Sequence, residues 1–247
     1  MMTDYERLAA RFDAGRAVPL ETLRPWRDAL APMLDITRPV LDVGAGTGLW
    51  SMAFVRWFGA SVLGVEPSQA MLREAVSQRA HPDIAYVAAR AERLPVRDDA
   101  YGSAWLSTVV HHISDLPACA FELRRVLGPD GSVLIRNAFS DRADEIPWLW
   151  WFPQARLAAL RRWPTVAAVG AAFATAGFAV QGVHRIRHLA APNLAAYARR
   201  VRVRADSTLA AISDDDFERG MAALDRTAAE GRHAGPVITG LDLLILR

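Results

Sequence analysis

The sequence predicts an α/β fold with a doubly wound parallel sheet, on two observations. Short apolar runs such as 40–43 and 61–66 alternate with stretches in which apolar residues recur at helical spacing. The first run leads directly into a glycine-rich turn and a helical pattern. Strands that alternate with helices are typical of a parallel sheet covered on both faces. We therefore expect one sizeable domain over residues 1–247.

The turn after the first strand contains three alternating glycines, Gly44, Gly46 and Gly48, and Asp42 stands two residues before them. Glycines let a ligand approach the backbone closely, and the helix that follows offers free N–H groups to a carboxylate or phosphate. The nicotinamide fingerprint has the spacing G-x-G-x-x-G, whose third glycine would fall on Leu49. The turn thus predicts a cofactor site, and its spacing opposes a nicotinamide cofactor.

Composition narrows the function class. Hydrophobic residues make up 52% of 247 residues, and 29 basic residues balance 27 acidic ones. The single cysteine, Cys119, leaves no set of thiolates for disulfides, zinc or iron–sulfur clusters. Asp214, Asp215 and Asp216 precede a helical pattern and suit a helix cap, so we expect no metal site. Without a membrane-length apolar run or a signal peptide, we expect a cytoplasmic protein with neither nucleic acid nor membrane as partner.

Two further strand ends carry polar side chains. Glu66 ends the second strand, 18 residues after Gly48, where a carboxylate can accept both hydroxyls of a ribose. The fourth strand, about 102–107, ends at Ser107 and is followed by His111 and His112. Ligands of doubly wound sheets lie outside the carboxyl ends of strands, and an imidazole there can accept a proton near neutral pH. One of these histidines is therefore a candidate base, although either can also cap or pack under the next helix.

Four landmarks, at 41–48, 66–72, 103–112 and 126–135, together resemble class I S-adenosylmethionine (SAM) dependent methyltransferases. Within that family, the landmarks are similar to those of the small-molecule methyltransferases of ubiquinone and menaquinone biosynthesis. The resemblance implies a Rossmann-like seven-stranded sheet of order 3-2-1-4-5-7-6, the last strand antiparallel, with a small helical cap. It divides the chain as follows: N-terminal helices 1–35, core 36–138 and 164–189, cap insertions about 139–163 and 190–235, and a closing strand 236–247.

The resemblance also implies SAM as cofactor and S-adenosylhomocysteine (SAH) as product. Arg16, in a Phe-Asp-x-x-Arg stretch, is expected to pair with the methionyl carboxylate, and Met71 to pack on the adenine. Arg90 stands where the family usually has an aspartate, so the backbone of Ala91 and the side chain of Glu92 are the remaining candidates there. The full cofactor-binding set is Arg16, Asp42, Gly44, Gly46, Gly48, Glu66, Pro67, Met71, Ala91, Glu92 and Ser107.

Substrate residues are sought outside these landmarks. Three tryptophans lie within 148–151, which suits a lid over an apolar substrate, and equally a packed helix or an interface. We expect the substrate to contact Tyr5, Asn137, Trp148 and Trp151. Basic residues also concentrate over 185–204, where they face either an anionic substrate or solvent.

The predicted function is methyl transfer from SAM to a carbon, nitrogen or oxygen nucleophile of a small, partly apolar metabolite. Base methylation is disfavoured because 107–110 reads Ser-Thr-Val-Val in place of an Asn/Asp-Pro-Pro-aromatic block. Two alternatives stay open, namely a SAM-binding enzyme that does not methylate and an interaction protein on the same scaffold. A homodimer is one expected assembly.

Overall fold

The computed structural model describes Asp13, Gly15 and residues 19–231 and 235–247. Its centre is a seven-stranded sheet of order β3-β2-β1-β4-β5-β7-β6. Strands β1 to β5 are parallel, and β7 runs antiparallel to both β5 and β6. The predicted fold class and strand order are confirmed. The strands are β1 Val40–Val43, β2 Val62–Val65, β3 Ile84–Val87, β4 Tyr101–Ser107, β5 Leu127–Asn137, β6 Val180–Ala191 and β7 Val237–Leu246.

Helices connect the strands and build the cap. Among the described residues they are α1 Arg24–Leu30, α2 Leu49–Phe58, α3 Gln69–Arg79, α4 Leu116–Val126, α5 Pro153–Arg162, α6 Val166–Ala174, α7 Leu194–Arg202, α8 Ser207–Ala211 and α9 Asp214–Ala229. Side-chain caps start several of them, as where Ser68 Oγ accepts the N–H of Met71 at 3.3 Å. Within the described ranges, each helix is too short or too polar to cross a bilayer.

Each face of the sheet buries its own apolar cluster, because side chains alternate along the strands. On one face, α4 and α6 cover β-strand residues such as Leu41 and Leu106. On the other, α1 and α2 pack Trp26 and Phe54 against Trp105. The second face therefore holds a cluster of aromatic rings directly beneath the end of the sheet where β1 and β4 stop.

The Gly-Pro-Asp-Gly stretch 128–131 is a turn signal, which predicts that the fifth strand begins at Ser132. In the structure β5 begins five residues earlier, at Leu127. Instead, Tyr101 pairs with Leu127 and Ser103 with Ser132, so these four residues bulge out within one continuous pairing. The turn chemistry is as expected, but the pairing of Leu127 with β4 extends the strand across it.

The two expected insertions pack on each other and form a cap with its own apolar cluster. Phe152, Trp163, Tyr197 and Phe217 are among its buried members. Strand β6 continues to Ala191, beyond its expected end at 186, and delivers the chain into this cap.

Ion pairs join the base of the cap to the sheet. The side chain of Asp242 on β7 is 1% exposed and lies 2.8 Å from Arg185 and 3.2 Å from Arg142. Arg142 belongs to the 3-10 segment Ser140–Glu145 at the start of the first insertion. The cap thus stands over the carboxyl ends of the central strands.

Candidate active site

A cavity of about 240 Å³ lies between the carboxyl ends of the central strands and the cap. Its wall is drawn from the glycine turn, the ends of β4 and β5, and both insertions. Lining residues include Gly44, Ala45, Gly46, Thr47, Ser107, His111, Arg136, Asn137, Trp148, Trp163, His188, Tyr197, Arg200 and Thr208. The cavity therefore lies where the sequence predicts that the cofactor and the substrate bind.

The glycine turn needs glycine at both of its ends. Gly44 and Gly48 have φ values of +73° and +82°, which other L-residues seldom adopt. A Cβ on Gly48 would lie 2.2 Å from the Tyr86 hydroxyl, and one on Gly44 would lie 2.5 Å from Val109 Cγ2. The turn is a tight backbone cradle whose shape a single methyl group would change.

Glu66 is nine-tenths buried at the end of β2 and holds the turn from below. Its Oε2 accepts the N–H of Gly46 and its Oε1 the N–H of Ser68, both at 3.0 Å. Each carboxylate oxygen has a second lone pair, so the group can still accept hydroxyls of a ligand. The geometry suits the expected ribose contact.

Asp42 lies behind the cradle. It is 1% exposed, and its Oδ2 accepts the Ser51 hydroxyl at 2.6 Å. Burial, reinforced by the nearby charge of Glu66, raises the pKa of Asp42 to about 7. Its role in the described structure is to join β1 to α2, one layer away from the cavity wall.

A polar link not assigned from the sequence closes one end of the cradle. Asp13 accepts the Thr47 hydroxyl at 2.6 Å and pairs with Arg79 at 2.6 Å, while Arg79 donates to the Thr47 carbonyl at 2.7 Å. Asp13 belongs to the same Phe-Asp-x-x-Arg stretch as Arg16. The sequence pattern therefore pointed to this segment, but the role was assigned to Arg16 and not to Asp13. Arg16 itself and Tyr5 lie outside the described residues.

The two histidines after β4 have different surroundings, although their rings lie 4.1 Å apart. His111 lines the cavity. His112 Nδ1 lies 2.8 Å from Arg162 on α5. Because a guanidinium only donates, Nδ1 of His112 accepts and its ring is neutral with the proton on Nε2. The structure thus brings His111 to the cavity, while His112 contacts the cap.

The other expected adenosine contacts, Pro67, Met71, Ala91 and Glu92, are not among the described residues that line the cavity. Ala91 and Met71 are buried, and Pro67 is exposed next to Glu66. The carboxylate of Glu92 accepts from the N–H and hydroxyl of Ser114 at 3.2 and 2.8 Å, which holds the loop after β3 to the start of α4. Both contacts are made to Oε1 of Glu92, whose side chain was expected to accept a hydrogen bond from the adenine.

The expected tryptophan pair is divided. Trp148 lines the cavity, but its partner there is Trp163, with ring centroids 6.1 Å apart in an edge-to-face arrangement. Trp151 turns the other way and donates its indole N–H to Thr227 Oγ1 on α9 at 3.0 Å. Consecutive positions of a short 3-10 turn point to different sides, so only part of the cluster can face the cavity. Trp150 is 77% exposed.

The basic stretch over 185–204 is divided in the same way. Most of its arginines pair with carboxylates: Arg185 with Asp242, Arg187 with Glu145, Arg202 with Asp225 and Arg204 with Asp214. Two members, His188 and Arg200, line the cavity instead. Asn137 and Arg136 reach it from the end of β5. Asn137 Oδ1 is buried with no hydrogen-bond partner among the described residues.

Comparison with known protein families finds a match in the core. Residues 41–135 match the family model of a methyltransferase domain. This stretch contains the cradle, Glu66, both histidines and most of β5. The match agrees with the resemblance found in the sequence, and it covers less than half of the chain.

Two curated relatives illustrate the sequence similarity. A malonyl-[acyl-carrier protein] O-methyltransferase of Pseudescherichia vulneris is 37% identical over 140 residues, 56% of this chain and 55% of the relative. A demethylmenaquinone methyltransferase of Streptomyces griseus is 33% identical over 135 residues, 53% of this chain and 57% of the relative. The chain spans a little over half the length of these curated relatives.

Solved structures share the fold over nearly the whole chain. A protein from Anabaena variabilis, described as a methyltransferase from an antibiotic biosynthesis pathway, covers 91% of this chain and 97% of its own, with a TM-score of 0.71 and 24% identity. The [4+2]-cyclase SpnF covers 94% and 83%, with a TM-score of 0.58 and 20% identity. At these identities the likeness defines the fold alone.

Proposed function

We propose that the protein transfers a methyl group from SAM to a nucleophile on a small, partly apolar metabolite. The observation that carries the proposal is a cavity in which residues 44–47 of the cradle and His111 meet aromatic side chains of the cap. Small metabolites are also what the names of the curated relatives indicate for those enzymes, in free or carrier-bound form.

The residues fit the cofactor on physical grounds. Gly44, Ala45, Gly46 and Thr47 line the cavity, so a ligand can lie against the turn there. Helix α2 begins beside the turn with its positive dipole end, and Glu66 offers carboxylate oxygens at the end of β2. In this proposal the cradle binds the methionyl part and Glu66 the ribose. Arg16, Met71, Pro67, Ala91 and Glu92 remain predicted contacts.

When bound, SAM supplies an electrophilic methyl group on a positively charged sulfur. The protein then has to align the nucleophile and take a proton from it where the nucleophile is protonated. His111 is the residue proposed to accept that proton, because it lines the cavity at the end of β4. Trp148 and Trp163 exclude water from the substrate side and give an apolar body a surface to pack on.

A second candidate is a SAM-binding enzyme that catalyses a rearrangement within the cap. The observation in its favour is the cap itself, since a cyclase has this same fold with a TM-score of 0.58. The cavity chemistry is compatible with both reactions. The homodimer, the cytoplasmic location and the absence of nucleic-acid partners remain predictions.

Calorimetric titration of SAH into the purified protein, with NADH in a parallel run, tests the cofactor. We expect micromolar binding of SAH alone. Mass spectrometric detection of methylated product from a metabolite panel then separates the two candidates. Saturable SAH binding with no methylated product from any turned-over substrate would favour the rearrangement, and no SAH binding by folded protein would remove both candidates.

A further inference from the structure

The substrate side of the cavity contains basic side chains from distant parts of the chain. Arg136 lies at the end of β5 and donates from Nη1 to Ser107 Oγ at 3.1 Å. Its guanidinium carbon lies 5.1 and 5.2 Å from the ring centroids of Trp26 and Trp50. These contacts hold the guanidinium plane in one orientation on the cavity wall.

Arg200 reaches the same cavity from α7 of the cap. It donates to the backbone carbonyl of Ala190 at the end of β6, and from Nη2 to that of Gly15 at 3.4 Å. The side chain is therefore held where the sheet, the cap and the N-terminal segment meet. Because an arginine stays protonated at every working pH, both positions contribute a permanent positive charge.

His188 lies close enough to both arginines for their charges to affect its ring. Its Nδ1 accepts the indole N–H of Trp26 at 3.2 Å, which puts the ring proton on Nε2. Burial first, and then the charges of Arg136 and Arg200, lower the pKa of His188 to about 3. The ring is thus neutral and donates from Nε2. The charges of both guanidinium groups act on this one buried ring.

The acidic groups on the described cavity wall have other contacts. Asp13 is paired with Arg79, and Asp206 Oδ1 accepts the N–H of Thr208 at the start of α8. A bound sulfonium would add one more positive charge to this space. A substrate with a negative charge would offset these charges, whereas a cationic one would be repelled.

We propose that Arg136, Arg200 and Nε2 of His188 form a carboxylate-binding subsite for the substrate. Arginine forks match a carboxylate in geometry as well as in charge. The apolar body of such a substrate lies against Trp148 and Trp163 at the other wall. The substrate class is then an aromatic or aliphatic acid. That the bound acid is a substrate rests on the proposed function, while binding of the acid can be tested without it.

The test uses three acids, benzoate, phenylacetate and 3-phenylpropanoate, each beside its neutral amide. Binding is measured by calorimetry on the full chain, with and without saturating SAH. We expect at least one acid to bind tenfold or more tightly than its amide. Arg136→Gln and Arg200→Gln should each reduce that preference at least fivefold and leave the affinity for SAH within twofold.

Controls separate this subsite from other causes. Arg156→Gln, at an exposed position of α5, should leave the preference unchanged. If either glutamine variant fails to fold, Arg136→Lys or Arg200→Lys keeps the charge, removes the fork, and should retain part of the preference.

Two results would overturn the subsite. One is that no acid binds better than its amide to the wild-type protein. The other is that Arg200→Gln weakens SAH instead of the acid, which would assign this arginine to the cofactor. Failure of the proposed function looks different, because wild-type protein would then bind no SAH, or would bind it and form no methylated product, whatever the acids do.

Discussion

The two halves of the cavity are built on opposite plans. The proposed cofactor half consists of consecutive residues, 44–47, with the carboxylate of Glu66 hydrogen-bonded to the backbone of Gly46. The proposed substrate half consists of side chains, among them Arg136, Trp148, His188 and Arg200, which come from β5, β6 and both cap insertions. A site made of backbone tolerates few substitutions and has one geometry. A site made of distant side chains can be altered one position at a time, so specificity belongs to the cap.

The largest effect is expected at the boundary between the halves. His111→Ala should lower turnover about 100- to 10,000-fold if the nucleophile needs a general base, and leave SAH affinity unchanged. His112→Ala, which removes the contact with Arg162, should cost far less turnover. Steady-state kinetics and SAH calorimetry on both variants measure this, and equal losses would remove the distinction between the two histidines.

Asp42 gives the cofactor half a pH dependence. Its pKa is about 7 when folded, above an ordinary 3.8, so between about pH 4 and 7 the folded protein keeps a proton that the unfolded chain has lost. Stability from this group therefore falls as the pH rises through that window, by up to about 1.4 kcal/mol per pH unit. In Asp42→Asn this decline should be absent.

Urea unfolding at about pH 5 and about pH 7.5 compares wild type with the variant. Asp35→Asn is the matched control. The Thr37 hydroxyl holds the pKa of Asp35 below its ordinary value, so the contribution of Asp35 is constant throughout this window. Asp35→Asn keeps Asp42 and should therefore show the same decline as wild type. A parallel decline in wild type and Asp42→Asn would contradict the assignment.

Gly48→Ala tests whether the glycine turn tolerates a side chain at this position. The positive φ alone costs about 1–3 kcal/mol, and the new methyl group would meet the Tyr86 hydroxyl. We expect SAH affinity to fall tenfold or more. Gly59→Ala is the control, since Gly59 has φ +65° with no atom near its missing Cβ, and should lose stability while SAH affinity is kept.

The smallest effect is expected within the cap. Trp151→Phe removes one hydrogen bond to Thr227 and should lower the free energy of unfolding by about 0.5–1.5 kcal/mol with SAH and acid binding unchanged. Trp163→Phe should instead weaken binding of 3-phenylpropanoate to the SAH-saturated protein. Thermal unfolding and calorimetry measure both, and weaker acid binding in Trp151→Phe would place that ring in the cavity after all.

The sequence by itself predicted the alternation of strands and helices and the glycine turn. The strand order was implied by the family resemblance, and the structure has that order. The turn is a local feature, because a buried strand and glycines at positions of positive φ are adjacent in the chain. Glu66 and the His111–His112 pair were predicted to lie near the turn because strand ends of a parallel sheet share one edge.

Only the tertiary structure decided which side chains of the cap face the substrate. Trp148 and Trp151 look equivalent in the sequence, as do Arg200 and Arg202, yet one of each pair lines the cavity and the other binds the cap's own surface. The direction of a side chain on a short turn or amphipathic helix depends on what packs against it. In this cap the partner can lie far along the chain, as Thr227 lies 76 residues from Trp151, so no local pattern records the choice.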